Sequence, residues 1–390
     1  MVNKQLNLVS RWCFPESTGG VAMHNYYLSQ VLQTSYDFRI LSFHSLINKN
    51  SFNNSNVKYL GISVPSFINF NLSTLKNVLR SFSDYSISKR FSDKIDIDSG
   101  IVEFMDIHSE GYHYLKKYPE KRKNAVIRAH TPFGLLKQYF HKDELLGVDT
   151  WFAFEREKKC FQWAGKITTP SIDLKKKICA LYDIPSKKVT VIPNILDTTH
   201  FSPKNVEDND TFTILHVGRF ERVKGVETLI KGFILLARKY SNIQLINIGK
   251  PRGKSFKRCM TMLKKDNLTE KVIFPGFVDY VDLPSYYAKA DIVVVPSEIY
   301  ESFSYTVAQG MACGKPVIAS NIGGIPETMN YGDAGLLFEP GNVDQLTDIM
   351  EKLYLDNNLR KDFGVKARSF IHNYCSMETL KPKYLKFYES

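Results

Sequence analysis

The chain has 390 residues, 43% of them hydrophobic, with 52 Lys and Arg against 40 Asp and Glu for a formal net charge of +12. Such a length exceeds one ordinary core and suits two domains, and the composition excludes a disordered chain. No apolar window of about 18 residues is present that could cross a bilayer, and the first ten residues lack a signal-peptide h-region, so a cytoplasmic protein is expected. The six cysteines (13, 160, 179, 259, 313 and 375) show no CxxC pair and no metal-ligand spacing, as expected of reduced thiols.

In chain order, Leu6 to Ser10 reads as a buried strand, followed by a loop through Ser17, Thr18, Gly19 and Gly20 and an amphipathic segment over Val21 to Leu32. Strand, Gly-Gly, helix is a layout that brings backbone close to phosphate, although two glycines also serve a tight turn. The spacing is not GxGxxG, so a dinucleotide fold is not supported. Residues 45–98 are rich in Asn, Ser and Phe. Within them Phe67, Phe70, Leu72, Leu75, Val78, Leu79 and Phe82, interleaved with Lys76 and Arg80, read either as a surface helix over the core or as an acceptor or membrane contact. Ile101 to Asp106 and Ala125 to Ala129 read as further strands, the second running into His130. A polar residue just past a parallel strand points into the ligand crevice, which makes His130 a candidate beside its plain reading as a structural histidine.

The positive charge is uneven: residues 1–200 hold 27 Lys and Arg against 18 Asp and Glu, and the remainder 25 against 22. Its runs are Lys116-Lys117, Lys121-Arg122-Lys123 and Lys175-Lys176-Lys177. They read as solvated faces, or as an attraction to an anionic membrane surface at the inner face of the membrane. Aromatic residues are not interleaved there as a nucleic-acid platform needs, so no nucleic-acid partner is expected. Ser202 to Asn209 is polar and charged and marks a domain boundary.

The second half opens with a strand, Phe212 to Val217, that reaches Gly218 and Arg219. Lys224 and Gly225 then start a helix with Val226, Leu229, Ile230 and Phe233 on one face. A lysine at the positive end of a helix dipole is unfavourable unless an anion converges on it with Arg219. Ile243 to Ile248, then Gly249, Lys250, Pro251, Arg252, Gly253, Lys254 and Ser255, imitate a P-loop, but the glycine spacing is one residue short and Pro251 removes a needed N–H. A P-loop NTPase is rejected, and the loop after Gly249 is placed near a nucleotide instead. Ile292 to Val295 is a β-branched run of the kind a parallel sheet buries. A helix is expected from about Ser302 to Cys313, with Phe303, Val307, Gly310 and Met311 on one face, Gly314 at C′ and Pro316 beyond. Glu301 then sits at a helix start beside free N–H groups, with Gln309 a little over two turns on and pointing roughly the same way. The plain alternative is that Glu301 only complements the helix dipole and Gln309 is solvated. Asp344 to Leu355 reads as an amphipathic helix.

Phe274 to Val278, Leu283, Tyr286-Tyr287, Ala290-Asp291, Pro296-Ser297, Glu301 to Ser304, Met311 to Val317 and Gly323 to Glu327 together resemble the nucleotide-binding half of the retaining GT-B glycosyltransferases of family 4. The resemblance is specific over 212–340 and diffuse in the first 150 residues. It implies an α/β protein of the GT-B fold, two Rossmann-like domains facing a cleft: an acceptor-side domain over 1–203, a nucleotide-sugar-binding domain over 204–370, and a tail over 371–390 that crosses back to the first. It implies a metal-independent transferase moving a hexose-type sugar from a nucleotide sugar, UDP-linked in preference to GDP-linked, to a glycan or lipid-linked acceptor, with no further cofactor. In the family's terms Glu301 orients the donor sugar, His130 lies against that sugar, and Arg219 and Lys224 neutralise the diphosphate. Gly19, Gly20, Gly218, Gly249, Phe277, Val278, Ser302, Phe303, Ser304 and Tyr305 line the donor. The family carries Glu-x7-Glu at this place, and here the second Glu, which holds the ribose hydroxyls, is Gln309. An amide both donates and accepts, so the departure bears on donor affinity and not on fold. The alternative function is a nucleotide-sugar- or glycan-binding protein of the same fold that has lost catalysis.

Overall fold

A computed structural model describes residues 4–12, 14, 19–43, 57–62, 75–96, 100–106, 108–136, 148–206 and 210–390, with backbone alone for 75–82 and 148–149. The chain divides into two compact units, one of Met1–Ile195 with Leu380–Ser390, the other Leu196–Thr379.

In the first unit seven strands pair in parallel: β1 (Gln5–Val9), β2 (Asp37–Phe43), β3 (Val57–Ile62), β4 (Ile101–Met105), β5 (Ala125–Arg128), β6 (Lys166–Thr169) and β7 (Val189–Val191), in the order β3-β2-β1-β4-β5-β6-β7. They are short and apolar because both faces are covered; Leu6, Leu8, Val102, Phe104 and Ile127 are fully buried or nearly so. Helices α1 (Gly20–Leu32), α2 (Leu75–Lys94), α3 (Tyr112–Lys117), α4 (Phe133–Leu136), α5 (Val148–Trp163) and α6 (Ile172–Tyr182) connect them. Right-handed crossovers place helices according to the direction in which the chain steps across the sheet. The step from β1 to β2 runs one way and those from β3 to β4, β5, β6 and β7 run the other. So α1 takes one face, and α2, α3, α5 and α6 pack side by side on the opposite face. Local signals fix the ends of α6: the Ser171 hydroxyl accepts from Leu174 N–H, and Asp183 closes the helix in the left-handed region at φ 56.

The second unit repeats the plan with β8 (Phe212–Val217), β9 (Ile243–Ile248), β10 (Val272–Gly276), β11 (Ile292–Val295), β12 (Val317–Ser320) and β13 (Leu336–Phe338), all parallel, ordered β10-β9-β8-β11-β12-β13. Its helices are α7 (Val226–Lys239), α8 (Gly253–Lys265), α9 (Leu283–Lys289), α10 (Tyr305–Ala312), α11 (Ile325–Thr328), α12 (Val343–Leu355) and α13 (Asn357–Cys375). Val226, Leu229, Ile230 and Phe233 of α7 are all fully buried, as the spacing requires. A last helix, α14 (Met377–Glu389), puts Tyr384 and Tyr388 into the α1 side of the first unit, against His24 and Tyr36.

Several expectations are corrected. The units divide at Ile195 and Leu196, not at 203: Leu196 already donates its N–H to the Cys375 carbonyl at 2.9 Å and bridges to Ser376, so the polar segment 202–209 lies inside the second unit. That unit runs on to Thr379, past the 370 expected, because α13 and the turn after it belong to it. The helix expected from Ser302 starts at Tyr305, so Glu301 stands four residues ahead of helical backbone and the two-turn argument linking it to Gln309 does not apply. The amphipathic segment proposed over Phe67 to Phe82 lies outside the described residues, apart from the α2 backbone from Leu75.

Candidate functional site

The reversal of strand order in each unit, between β1 and β4 and between β8 and β11, opens a crevice at the carboxyl ends of the strands. In the second unit, the chain leaving β8 passes through Gly218 and Arg219 into a 3-10 turn, Arg222–Lys224, and then Gly225. Gly225 has φ +68, and a Cβ there would fall 1.6 Å from the Pro296 carbonyl at the end of β11. That close approach, with Glu298 N–H donating to the Val223 carbonyl at 2.8 Å, ties the two strand ends together. It delivers Lys224 Nζ to 2.7 Å from Glu301 Oε1, with side chains only 26% and 12% exposed. The Ser297 hydroxyl donates to the same carboxylate oxygen.

Burial alone would push the Glu301 carboxyl up. The Lys224 charge and hydrogen bonds from Lys224, Ser297 and Ser304 outweigh it, and its pKa is lowered. The carboxylate is therefore ionised, and it supplies the counter-charge that Lys224 lacks from its own backbone. Arg219 pairs instead with Glu221, at 3.0 Å on the surface. Beneath Lys224, His216 donates Nδ1–H to the Val294 carbonyl at 3.0 Å; burial lowers its pKa to about 4, so the imidazole is neutral.

Gly249 packs on the same strand ends. Its N–H donates to the Gly276 carbonyl at 2.9 Å, and a Cβ on it would meet the Gly218 carbonyl at 2.0 Å. Phe277 is exposed, with the Lys250 ammonium 5.7 Å from its ring; Val278 follows it, half-buried. Ser302, Phe303 and Ser304 are buried, while Tyr305 opens α10 half-buried. Gly324 N–H and the Cα of Gly323 close on the Glu301 carbonyl, fixing the turn that carries the carboxylate. Gln309 is buried, and its amide oxygen accepts from the Tyr287 hydroxyl at 3.0 Å.

The first unit holds its own group. Gly19 and Gly20 are exposed at the start of α1. One turn on, the His24 ring packs edge-on against His130 at 4.9 Å. Both rings are buried, both pKa values are lowered well below the ordinary range by burial and then by Arg128, and both are neutral. His130 N–H donates to Asp106 at 3.0 Å, and Glu157 accepts from Phe133 and Gly134 N–H, so carboxylates pin the loop that carries the ring.

Residues 18–200 match the family Glycosyltransferase Family 4, and residues 197–370 match Glycosyl transferases group 1. The chain belongs to the GT-B glycosyltransferases of the family 4 type. An uncharacterized glycosyltransferase of Methanocaldococcus jannaschii is 30% identical over 219 residues, 50% of this chain and 55% of that one. The lipopolysaccharide 1,2-N-acetylglucosaminetransferase of Salmonella typhimurium is 28% identical over 284 residues, 67% of this chain and 72% of that one. The chain thus spans about half the length of the first curated relatives it matches. Among solved structures, the sucrose-phosphate synthase of Thermosynechococcus elongatus superposes with TM-score 0.81 at 19% identity, covering 99% of this chain and 98% of that one. The Anabaena protein HepE, in complex with UDP and glucose, does so with TM-score 0.74 at 16% identity, covering 99% and 100%.

In this GT-B chain Gly218, Lys224, Gly249 and Glu301 come together at the ends of β8, β9 and β11. Phe277 and Val278 instead follow β10, Arg219 pairs with Glu221 on the surface, and Gln309 sits within α10 against Tyr287. Reasoning from sequence missed the groups that hold them: Ser297 on Glu301, His216 under Gly218, and His24 against His130. His24, beside Asn25, Tyr26 and Tyr27 on α1, carried no distinct signal in the sequence. Ser297 stood in the Pro296-Ser297 pair that carries part of the resemblance, but its hydrogen bond to Glu301 was not read from it.

Proposed function

We propose that this GT-B chain is a retaining, metal-independent glycosyltransferase that moves a hexose-type sugar from a nucleoside-diphosphate sugar to a glycan or lipid-linked acceptor, in surface polysaccharide synthesis. The observation that carries the reading is the largely buried Lys224–Glu301 pair at the strand-order reversal, a cation and a carboxylate held side by side where a parallel sheet of this order opens its ligand crevice. Lys224 and Arg219 neutralise the diphosphate as the bond from C1 to phosphate breaks, the task a metal ion performs elsewhere. A new bond from C1 to the acceptor oxygen forms on the same face, and the acceptor proton passes to the departing phosphate. Glu301 then orients the sugar and is not a nucleophile.

Gly218, Gly249, Phe277 and Val278 line the nucleotide, and N–H groups over Ser302 to Tyr305 meet phosphate or sugar. Gln309 faces the ribose, Gly19 and Gly20 approach the diphosphate, and neutral His130 lies against the donor sugar. The donor proposed is UDP-linked in preference to GDP-linked; HepE, of the same fold, was crystallised with UDP and glucose, and a mycobacterial relative is named as GDP-mannose-dependent, so the donor panel tests both. The Salmonella relative's name supports a saccharide acceptor.

The test is binding and slow acceptor-free hydrolysis of a panel of UDP-, GDP-, ADP- and dTDP-sugars, with and without EDTA, beside Glu301→Ala. One donor cleaved by the unmutated protein alone, at the same rate in EDTA, is the expected result. Binding without cleavage by either protein would overturn catalysis in favour of a nucleotide-sugar-binding protein. Loss of all turnover in EDTA would overturn metal independence.

A further inference from the structure

The three cationic runs that stand apart in the sequence fall on one helix layer of the first unit. Lys116-Lys117 ends α3, Lys121-Arg122-Lys123 forms the 3-10 turn after it, and Lys175-Lys176-Lys177 lies on α6. The crossovers place all of them, with α2 and α5, on one side of the first unit's sheet. Over residues 83–94, 112–124, 150–163 and 172–187 that layer carries twelve Lys and three Arg against seven carboxylates. Two of the seven, Asp84 and Glu157, are buried with inward partners. The opposite face differs: α1 holds no charged residue, and α14 has three Lys against two Glu. Side chains from different helices converge, since Lys116, Lys89 and Arg156 all act on the half-buried His113 ring.

A second observation falls on the same layer. Among the described residues of the first unit, five large apolar side chains are exposed, and four of them, Tyr85, Trp151, Phe152 and Ile172, lie on α2, α5 and α6. Trp151 and Phe152 are 57% and 51% exposed and sit together, ring to ring at 5.0 Å. Large aromatic rings on a layer that also carries lysines suit the boundary between headgroups and acyl chains, where an indole is wet on one side and apolar on the other. The preponderance of Lys over Arg also fits a fluid anionic surface. Lysine offers a mobile point charge, whereas fixed phosphate geometry favours the guanidinium fork.

We propose that the helix layer α2–α3–α5–α6 of the first unit is a docking face for an anionic lipid bilayer. The lysines supply attraction that falls with salt, and Trp151 and Phe152 enter the interface. The inference stands apart from the transferase reading, because its test measures vesicle binding and not turnover.

The full chain is sedimented with phosphatidylcholine–phosphatidylglycerol vesicles and with phosphatidylcholine vesicles, at low and high salt. Binding to the first alone, lost at high salt, is expected. Each lysine near such a surface contributes about fivefold. A variant combining Lys116→Glu, Lys117→Glu, Lys123→Glu and Lys176→Glu, all exposed, should therefore partition at least about a hundredfold less. A variant with the same change of net charge on the second unit, at exposed Lys257, Lys264, Lys265 and Lys361, should bind as the parent does. Trp151→Ser with Phe152→Ser should weaken binding and keep its salt dependence. Equal retention on uncharged vesicles, or an equal fall in both quadruple variants, would overturn the proposal. Displacement of the protein from vesicles by duplex DNA at equal phosphate concentration would reassign the face to nucleic acid.

Discussion

Glu301 and Lys224 satisfy each other at 2.7 Å in a nearly buried position, so on the transferase reading proposed above an incoming diphosphate would have to share Lys224 with a carboxylate of its own sign. Replacing Glu301 by Ala should therefore have opposite effects on binding and turnover. Affinity for UDP should rise about three- to tenfold as Lys224 is freed, while turnover falls by about a hundredfold or more. Calorimetry on UDP beside steady-state rates checks this, and a parallel loss in both would mean that the pair orders the loop. A second residue-scale prediction concerns Glu103 on β4, fully buried, accepting from the Tyr388 hydroxyl, with a pKa pushed up to about 7 by burial. Between pH 4.5 and 7 the unfolded chain ionises this group and the folded chain keeps it neutral. Glu103 thus withdraws stability as pH rises through that window. Relative to the parent, Glu103→Gln should gain up to about 3 kcal/mol between pH 5 and pH 8, read from urea midpoints at the two values. A constant difference would mean that the carboxyl is ionised throughout.

The turn that carries Lys224 is an element in its own right, and Gly225 is its tightest point. Gly225→Ala would force a methyl group onto the Pro296 carbonyl, and it should cost at least about 3 kcal/mol. Gly341 has a comparable φ of +79 but no atom within 4 Å of a Cβ, and its alanine variant should cost about 1 kcal/mol. Denaturation of the two variants side by side separates close approach from backbone conformation. Elements of this kind were readable in the sequence, because β-branched runs, the Lys224-Gly225 punctuation and the apolar stripe of α7 all act locally. The placing of Glu301 was readable only in outline: strand, acid and helix were right, but the three residues before α10 are not helical, so periodicity could not show where Gln309 turns. The Arg128–Glu103–Tyr388 neighbourhood was not readable at all. It joins β5, β4 and α14 across the whole chain, and nothing local to Glu103 announces a tyrosine 285 positions away.

At the scale of the whole molecule the chain leaves its first unit after Ile195 and re-enters it at Leu380. Leu380, Tyr384, Phe387 and Tyr388 are buried there, Tyr384 donates to the Pro193 carbonyl at 3.1 Å, and Lys166 donates to the Phe387 carbonyl at 3.1 Å. Ending the chain after Ser376 should remove several kcal/mol of burial from that unit alone. Hydrogen exchange should then quicken in β1 and β4 by about a hundredfold or more and stay unchanged in β8 and β11. Equal quickening in both would show that the units unfold as one.

The same return has a consequence for synthesis. The first unit is begun before the second and completed after it, since α14 follows Leu196–Thr379 in the chain. At roughly 5–20 residues per second, the whole second unit is made while the first waits with Glu103 and the α1 face uncovered. Over that interval, on the order of ten seconds or more, the nascent chain presents a chaperone with an apolar surface that stays uncovered until α14 is made.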